Sequence, residues 1–384
     1  MKKPKVAIVY DRVNTPFGGA EQVLLALNEL YPEAPLFTAV YNPQKAKWAD
    51  KFPKVIPSFL NKVPFFNQLH RWIPFLMPMA FESFDFDGYD VVISVTSAEA
   101  KGIVTKPNQL HFCYLLTPPR YLYQDREHSL NSKKIFKILP IKWLASKLLD
   151  YLTWWDQQAV LRPDVIIPIS QRVAQRVREF YPQIKSDEVI YPPVENKRIE
   201  KIKILADIPK SYLLIASRLV SYKSIDQAIQ ACAEINQGLV IVGSGPEKKP
   251  LKQLIKNLEK QNIKLFSDLD FSTLQYLYQN CEALLMPGEE DFGIVALEAN
   301  SYGKPVIINS KSGAAECIDH TIHGVHISQE KPDFIIKAIE TMKKTEFNKA
   351  RLHKNAEKYD TNTFIKVFEK SVDKFWNQKQ KENL

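Results

Sequence analysis

Glu290 and Glu298 stand eight positions apart in the segment Met286-Pro287-Gly288-Glu289-Glu290-Asp291-Phe292-Gly293-Ile294-Val295-Ala296-Leu297-Glu298-Ala299, and that spacing across a loop-to-helix boundary suits a sugar nucleotide. The apolar run Ala283-Leu284-Leu285-Met286 reads as a buried strand, Pro287-Gly288 ends it, and the residues from Ile294 to Ala299 have the composition of a helix. At such a helix start the N–H groups near Phe292, Gly293 and Ile294 can receive phosphate oxygens, with Gly293 allowing close backbone approach. Glu290 before the helix could accept from sugar hydroxyls and Glu298 inside it from ribose hydroxyls, on either side of a diphosphate. Taken alone the two glutamates also fit a solvated acidic loop leading into a core helix.

Further groups of the right chemistry follow other predicted strands. After Leu213-Leu214-Ile215-Ala216 comes Ser217-Arg218-Leu219-Val220-Ser221-Tyr222-Lys223. Arg218 can grip phosphate oxygens in a planar fork and Lys223 adds a point charge, so the two could neutralise a departing diphosphate without a metal ion. After Leu239-Val240-Ile241-Val242 comes Gly243-Ser244-Gly245-Pro246-Glu247, where two glycines permit a tight turn at the carboxyl end of a strand. That turn fits nucleotide contact and a plain strand-to-helix connection equally well. Near the start, Gly18-Gly19-Ala20-Glu21 opens a helix patterned by Val23, Leu24, Leu27 and Leu30, and such a glycine pair can approach phosphate. It is not the Gly-x-Gly-x-x-Gly of nicotinamide enzymes, which argues against a dehydrogenase.

These groups need strands to hold them, and short β-branched runs recur along the chain. They are Val6 to Tyr10, Val91 to Ser94, Val165 to Pro168, Leu213 to Ala216, Leu239 to Val242 and Val306 to Ile308, with amphipathic stretches between. The alternation predicts parallel sheets covered by helices, once in each half of the chain. A length of 384 residues exceeds what one hydrophobic core usually reaches. The boundary is expected after Val189-Ile190-Tyr191-Pro192-Pro193-Val194, in the charged stretch Glu195 to Lys203.

The whole string from Pro287 to Ala299, followed by Gly303-Lys304-Pro305-Val306-Ile307, resembles the signature of the family 4 (group 1) glycosyltransferases. Arg218-Leu219 with Lys223 resembles the family's diphosphate clamp, although Ser217 and Ser224 sit where glycine is frequent. The resemblance implies the GT-B architecture, an α/β fold of two Rossmann-like domains facing a central nucleotide cleft, with the last helix crossing back to the first domain. Residues 1–195 completed by 362–384 would form the acceptor side, and residues 196–361 the nucleotide-sugar side. The helix expected from Phe364 to Trp376 would make the crossing, with Gln378 to Glu382 a frayed end.

The same resemblance implies a retaining, metal-independent transfer of a hexose to a glycan or lipid-linked saccharide, in cell-surface polysaccharide synthesis. No cofactor is implied beyond the nucleotide-sugar donor. Arg218, Lys223 and Glu290 would be catalytic. Gly18, Gly19, Gly243, Gly245, Glu247, Phe292, Gly293, Ile294 and Glu298 would bind the donor. The stretch Leu116-Thr117-Pro118-Pro119-Arg120-Tyr121 is similar to the His-Thr-Pro-x-Arg-Tyr of bacterial mannosyltransferase-like members, which implies Thr117, Arg120 and Tyr121 on the acceptor or sugar side, although Arg120 and Tyr121 equally fit packing roles. Leu116 replaces the histidine that lies beside the donor's primary hydroxyl. Leaving a buried hydroxyl unpaired costs about 1–3 kcal/mol, so a 6-deoxy donor is one expectation. A solvent-filled gap, a different local alignment and an inactive enzyme are the others. The phrases Arg-Leu-Val-x-Tyr-Lys and Glu-Glu-Asp-Phe-Gly-Ile look most like members that use GDP-mannose.

A net charge of +9 favours an anionic partner. Its positive residues are scattered through both halves without a compact motif, which argues against nucleic acid. The residues Phe59 to Phe81 and Lys133 to Trp155 interleave basic and large apolar side chains, fitting both an anionic membrane surface and ordinary packing. Trp72 to Phe81, broken by Pro74 and Pro78, is far short of the ~20 apolar residues that span a bilayer. Cys113, Cys232, Cys281 and Cys317 form no Cys-x-x-Cys pair and suggest neither a disulfide framework nor zinc. The run Val6 to Tyr10 is too short for a signal-peptide core, so a cytoplasmic enzyme is expected, either peripheral on the inner face of the membrane or free of it. The rival readings are a sugar-nucleotide epimerase of related architecture and a noncatalytic relative serving as an assembly surface.

Overall fold

Twelve short strands, most of them fully buried apolar runs, build two separate sheets in the computed structural model, which describes residues 3–63, 74–131, 139–186, 188–195 and 202–382. The chain divides into two units, Met1–Pro192 with Phe364–Leu384, and Pro193–Thr363. Phe65, Phe66, His70, Arg71 and Trp72 of the first basic–aromatic stretch lie outside the described residues, as do Lys133, Lys134, Ile135, Phe136 and Lys137 of the second and residues 196–201 of the charged boundary.

In the first unit β1 (Val6–Tyr10), β2 (Leu36–Thr38), β3 (Val55–Pro57), β4 (Val91–Thr96), β5 (Leu110–Leu115) and β6 (Val165–Pro168) pair in the order β3-β2-β1-β4-β5-β6, all parallel. β1, β4 and β5 are buried along their whole lengths, as a parallel sheet covered on both faces requires. The last helix, Thr361–Glu382, buries Phe364, Phe368 and Val372 at a spacing of four, which places them on one face. Phe368 sits 5.1 Å from the Phe112 ring and 5.5 Å from the Tyr114 ring on β5. The polar residues 378–382, expected to fray, are helical instead. Lys379 Nζ lies 2.6 Å from Asp164 Oδ1, an ion pair that gives this turn a partner in the same unit.

The second unit repeats the plan with β7 (Leu213–Ala216), β8 (Leu239–Val242), β9 (Ile263–Phe266), β10 (Ala283–Met286), β11 (Val306–Asn309) and β12 (Gly324–Ile327). Its order, β12-β11-β10-β7-β8-β9, is the same Rossmann order read from the other edge. Helix Ile225–Glu234 buries Ile225, Ala228, Ile229 and Cys232, and helix Pro332–Lys344 buries Ile335, Ala338, Ile339 and Met342. Both apolar stripes join one core cluster with side chains of β7, β8, β10, β11 and β12.

The four cysteines are unpaired and buried, and burial pushes each thiol up to about 12, leaving it protonated. Among the described residues no helix is long and apolar enough to cross a membrane.

Candidate functional site

In a sheet of this order the chain runs outward from the centre in one direction through β7, β8 and β9, then in the other through β10, β11 and β12. The chain therefore leaves β7 and β10 in opposite directions at the carboxyl edge, the switch point where open α/β sheets bind ligands. Those two loops carry Arg218 with Lys223 and Glu290. The fold brings Lys223 and Glu290 into direct contact: Lys223 Nζ donates to Glu290 Oε1, with the two side chains 13% and 15% exposed. A pocket beside the pair is lined by Ile215, Ser217, Lys223, Met286, Glu290 and Val295. Arg218 is exposed, and its guanidinium makes no ion pair among the described residues. An ammonium and a carboxylate in contact at the lip of a pocket, on loops of which one also carries an exposed guanidinium, have the chemistry to meet hydroxyls and an anion.

The backbones of the two loops approach closely at one point. A Cβ on Gly288 would fall 2.3 Å from the Tyr222 carbonyl oxygen and 2.5 Å from Lys223 Cα, so only glycine lets the loops approach this closely. Ser224, just after Lys223, has φ 49° and ψ 37°, the left-handed conformation that explains a frequent glycine at this position. Its hydroxyl does not cap the helix that follows but donates to Glu330 Oε2.

The acidic loop is held from β11. Ser312 Oγ accepts from the Glu290 N–H at 3.0 Å and donates to the Gly288 carbonyl at 3.1 Å. Gly313 N–H reaches the Glu290 carbonyl at 3.0 Å, and Ala314 N–H the Phe292 carbonyl at 2.7 Å. Phe292 is buried, and Gly293 takes φ +95°. The helix begins at Val295 with Ile294 as its cap, so Phe292, Gly293 and Ile294 all precede it. Glu298, inside that helix, accepts from the Tyr278 hydroxyl at 3.1 Å, and the Tyr278 ring stacks on Tyr302 at 5.3 Å. Burial lifts the Tyr278 hydroxyl well above its ordinary pKa, and the Glu298 carboxylate adds to the shift. Tyr278 is therefore a neutral donor.

Gly243 and Gly245 have a role in the scaffold itself. A Cβ would meet the Ser217 carbonyl oxygen at 1.9 Å from Gly243 and the Leu219 carbonyl oxygen at 2.2 Å from Gly245. The Leu219 N–H donates to the Ser244 carbonyl and the Glu247 N–H to the Leu219 carbonyl. This turn clamps the backbone of the loop that carries Arg218.

The remaining expected residues, Gly18, Gly19, Leu116, Thr117, Arg120 and Tyr121, lie in the first unit. Gly18 caps helix Gly19–Leu30, and a Cβ there would lie 3.0 Å from Glu21 Oε2. That carboxylate also accepts from the Tyr10 and Thr15 hydroxyls, so the helix start opened by the glycine pair already holds an acid of its own chain. Burial raises the Glu21 carboxyl above its ordinary value. Leu116 is half-buried just past β5, its N–H bonded to the Thr96 carbonyl at 2.8 Å, and Thr117 is buried. Arg120 lies 3.5 Å from Asp125. Tyr121 donates to Glu99 Oε1 at 2.7 Å, and Arg12 Nη2 donates to Glu99 Oε2 at 2.7 Å. Asp11 accepts from the Thr96 hydroxyl and from the Ser97 and Ala100 N–H groups, tying the loops after β1 and β4 together.

Sequence reasoning did not find Tyr278, Glu99, Asn309, Ser312 or Glu330. None sits in a spaced motif. Ser312 is one residue before Gly313 in the run that follows β11, and its polarity there is the one local signal.

Residues 196–359 match the family model described as glycosyl transferases group 1. An uncharacterized glycosyltransferase of Methanocaldococcus jannaschii is 34% identical over 129 residues, 32% of this chain and 33% of that protein. The GDP-mannose-dependent monoacylated alpha-(1-6)-phosphatidylinositol monomannoside mannosyltransferase of Corynebacterium glutamicum is 31% identical, covering 27% of this chain and 30% of its own. The chain spans about a third to a half of the length of the first curated relatives it matches. Among solved structures, Anabaena HepE in complex with UDP shares the fold at a TM-score of 0.67 and 18% identity, over 96% of this chain and 100% of that one.

Proposed function

We propose, from the match of residues 196–359 to the group 1 glycosyl transferases, that the protein moves a hexose from a nucleotide-diphosphate sugar to a hydroxyl of a glycan or lipid-linked saccharide, in cell-surface polysaccharide synthesis. The observation that carries the reading is the Lys223–Glu290 contact at the carboxyl edge of β7 and β10, with the exposed Arg218 on the same loop as Lys223. A GDP-mannose-like donor is favoured, since a relative named as GDP-mannose-dependent matches this chain. Leu116 leaves a 6-deoxy sugar as the variant to test.

In the proposed reaction the bond from the anomeric carbon to the β-phosphate oxygen breaks. The acceptor oxygen bonds that carbon on the same face, retaining its configuration, and the acceptor proton passes to the leaving diphosphate. Arg218 and Lys223 neutralise the charge that builds on the diphosphate, a preorganised electrostatic contribution that needs no metal ion. Glu290 is positioned to hold sugar hydroxyls and Glu298 the ribose, with Tyr278 keeping Glu298 in place. No resident cofactor takes part.

The enzyme works in the cytoplasm at the inner face of the membrane. Helix Leu139–Ala159 supports this, exposing Trp143 at 64% and Trp154 at 60% together with Leu144, Lys147 and Tyr151 along one side. Exposed aromatics of this kind suit a headgroup layer, while Lys147 stands 3.8 Å from the exposed Asp150. Sedimentation with anionic liposomes at low salt is the expected outcome, and failure to sediment removes this part of the reading.

The donor site is tested by thermal stabilisation with a panel of nucleoside diphosphates and nucleotide sugars, without divalent metal and then with magnesium. Selective stabilisation by one diphosphate without metal supports the site and identifies the base. No response to any member overturns it.

A further inference from the structure

The Lys223 loop and the Glu290 loop share a support that lies in neither. Asn309, buried at the end of β11, donates through Nδ2 to the Pro287 carbonyl at 3.0 Å and to Glu330 Oε1 at 3.1 Å, while its Oδ1 accepts from the Lys311 N–H at 2.9 Å. Glu330, in the turn after β12, accepts on its other oxygen from the Ser224 hydroxyl. A continuous line of side-chain bonds therefore runs from Ser224, the residue after Lys223, through Glu330 and Asn309 to Pro287, three residues before Glu290. Among the described residues both hydrogen-bond partners of the Glu330 carboxylate are neutral donors, so it works here as a two-armed acceptor. Ser224 makes this link from a left-handed backbone and without a side-chain capping bond to the helix that follows.

We propose that Glu330 and Asn309 are positioning residues that hold the Lys223 and Glu290 loops at the separation the donor site needs. This rests on the donor reading of that site. Without the link the two loops keep their strands but lose their common register at the carboxyl edge. Lys223 then no longer meets the diphosphate where it would act, because a charge-assisted contact depends steeply on distance and alignment.

Two variants test the inference: Glu330→Ala, at a half-exposed position, and Ser224→Gly, which removes the hydroxyl while permitting the left-handed backbone. In the unliganded protein, hydrogen exchange is expected to rise about tenfold in both residues 217–224 and residues 287–294, with the strand amides of β7 and β10 unchanged. A rise confined to one loop, or no rise, overturns the link. For function, UDP, GDP and ADP affinities are measured with each variant alone and in a Lys223→Ala background. A residue acting through Lys223 weakens binding of the preferred diphosphate about five- to twentyfold alone and less than about twofold when Lys223 is already gone. An equal loss in both backgrounds overturns the positioning role. If the unaltered protein binds none of the three diphosphates, the donor reading fails, and the exchange measurement alone then decides whether the link holds the loops.

Discussion

Replacing Lys223 by Ala separates what its ammonium does for folding from what it does for chemistry. The Lys223–Glu290 pair is 13% and 15% exposed, so the substitution leaves a largely desolvated carboxylate without its cation. Breaking a fully buried pair in this way costs about 3–5 kcal/mol, and access from the neighbouring pocket brings the expected loss down to roughly 2 kcal/mol. For a unit of this size that is a fall in melting temperature of about 4–8 °C. The catalytic loss is expected to be larger, because removing one preorganised group that meets developing charge lowers kcat about 10²–10³-fold, or about 3–4 kcal/mol. The double variant Lys223→Ala/Glu290→Gln tells the two apart. Deleting the orphaned charge should recover most of the stability and none of the turnover. Calorimetry and single-turnover transfer from the donor identified by the stabilisation panel provide both numbers. Turnover within threefold of normal in Lys223→Ala, or recovery of activity along with stability in the double variant, refutes the role given to the ammonium.

Three further outcomes are expected. Gly288→Ala places a methyl group 2.3 Å from the Tyr222 carbonyl oxygen and should weaken diphosphate binding at least tenfold while costing about 1–3 kcal/mol, read by calorimetry and chemical unfolding. Phe368→Ala removes the ring that meets Phe112 and Tyr114 and should destabilise the first unit by about 3–5 kcal/mol, with the second unit's diphosphate binding retained. His111 is buried, and burial lowers its pKa from 6.5 to about 3, with Arg162 adding to the effect. Between those values the unfolded chain binds the extra proton, so this contribution is complete above pH 6.5 and is lost as pH falls toward 3, at up to about 1.4 kcal/mol per pH unit. Urea unfolding from pH 4 to 7 should show that slope, and His111→Gln should flatten it.

Strands that are unbroken apolar runs rich in valine and isoleucine, such as Val6–Tyr10 and Leu239–Val242, announce themselves in the sequence because a parallel sheet buried on both faces asks for nothing else. Others do not. Leu36–Thr38 is three residues long, Val55–Pro57 ends in proline, and Gly324–Ile327 opens with a glycine. That glycine is needed because a Cβ would meet the Val306 carbonyl oxygen at 2.2 Å, a requirement set by the neighbouring strand. Lys223 and Glu290 were legible as chemistry, since each ends a recognisable strand-to-loop phrase, but their contact joins residues 67 positions apart. Asn309 and Glu330 were illegible for the same reason carried further. The Ser224–Glu330 bond spans 106 positions, and neither residue has local company that marks it out. The glycines at 243 and 245 show the opposite difficulty: their presence was plain, while their packing against Ser217 and Leu219 required the neighbouring loop to be seen.

The last helix gives the first unit a history in time. Residues 193–363 form a unit whose chain is continuous, whereas the face of Phe112 and Tyr114 waits for Phe364, Phe368 and Phe375. On a ribosome those rings follow only after the whole second unit has been made, roughly 10–30 s later at ordinary elongation rates. Through that interval the earlier-made sheet carries an uncovered aromatic face, while the later-made unit has everything it needs to close. The order of completion is thus the reverse of the order of synthesis, and a nascent chain stalled before Phe364 would present that sticky face to chaperones and to its neighbours on the same message.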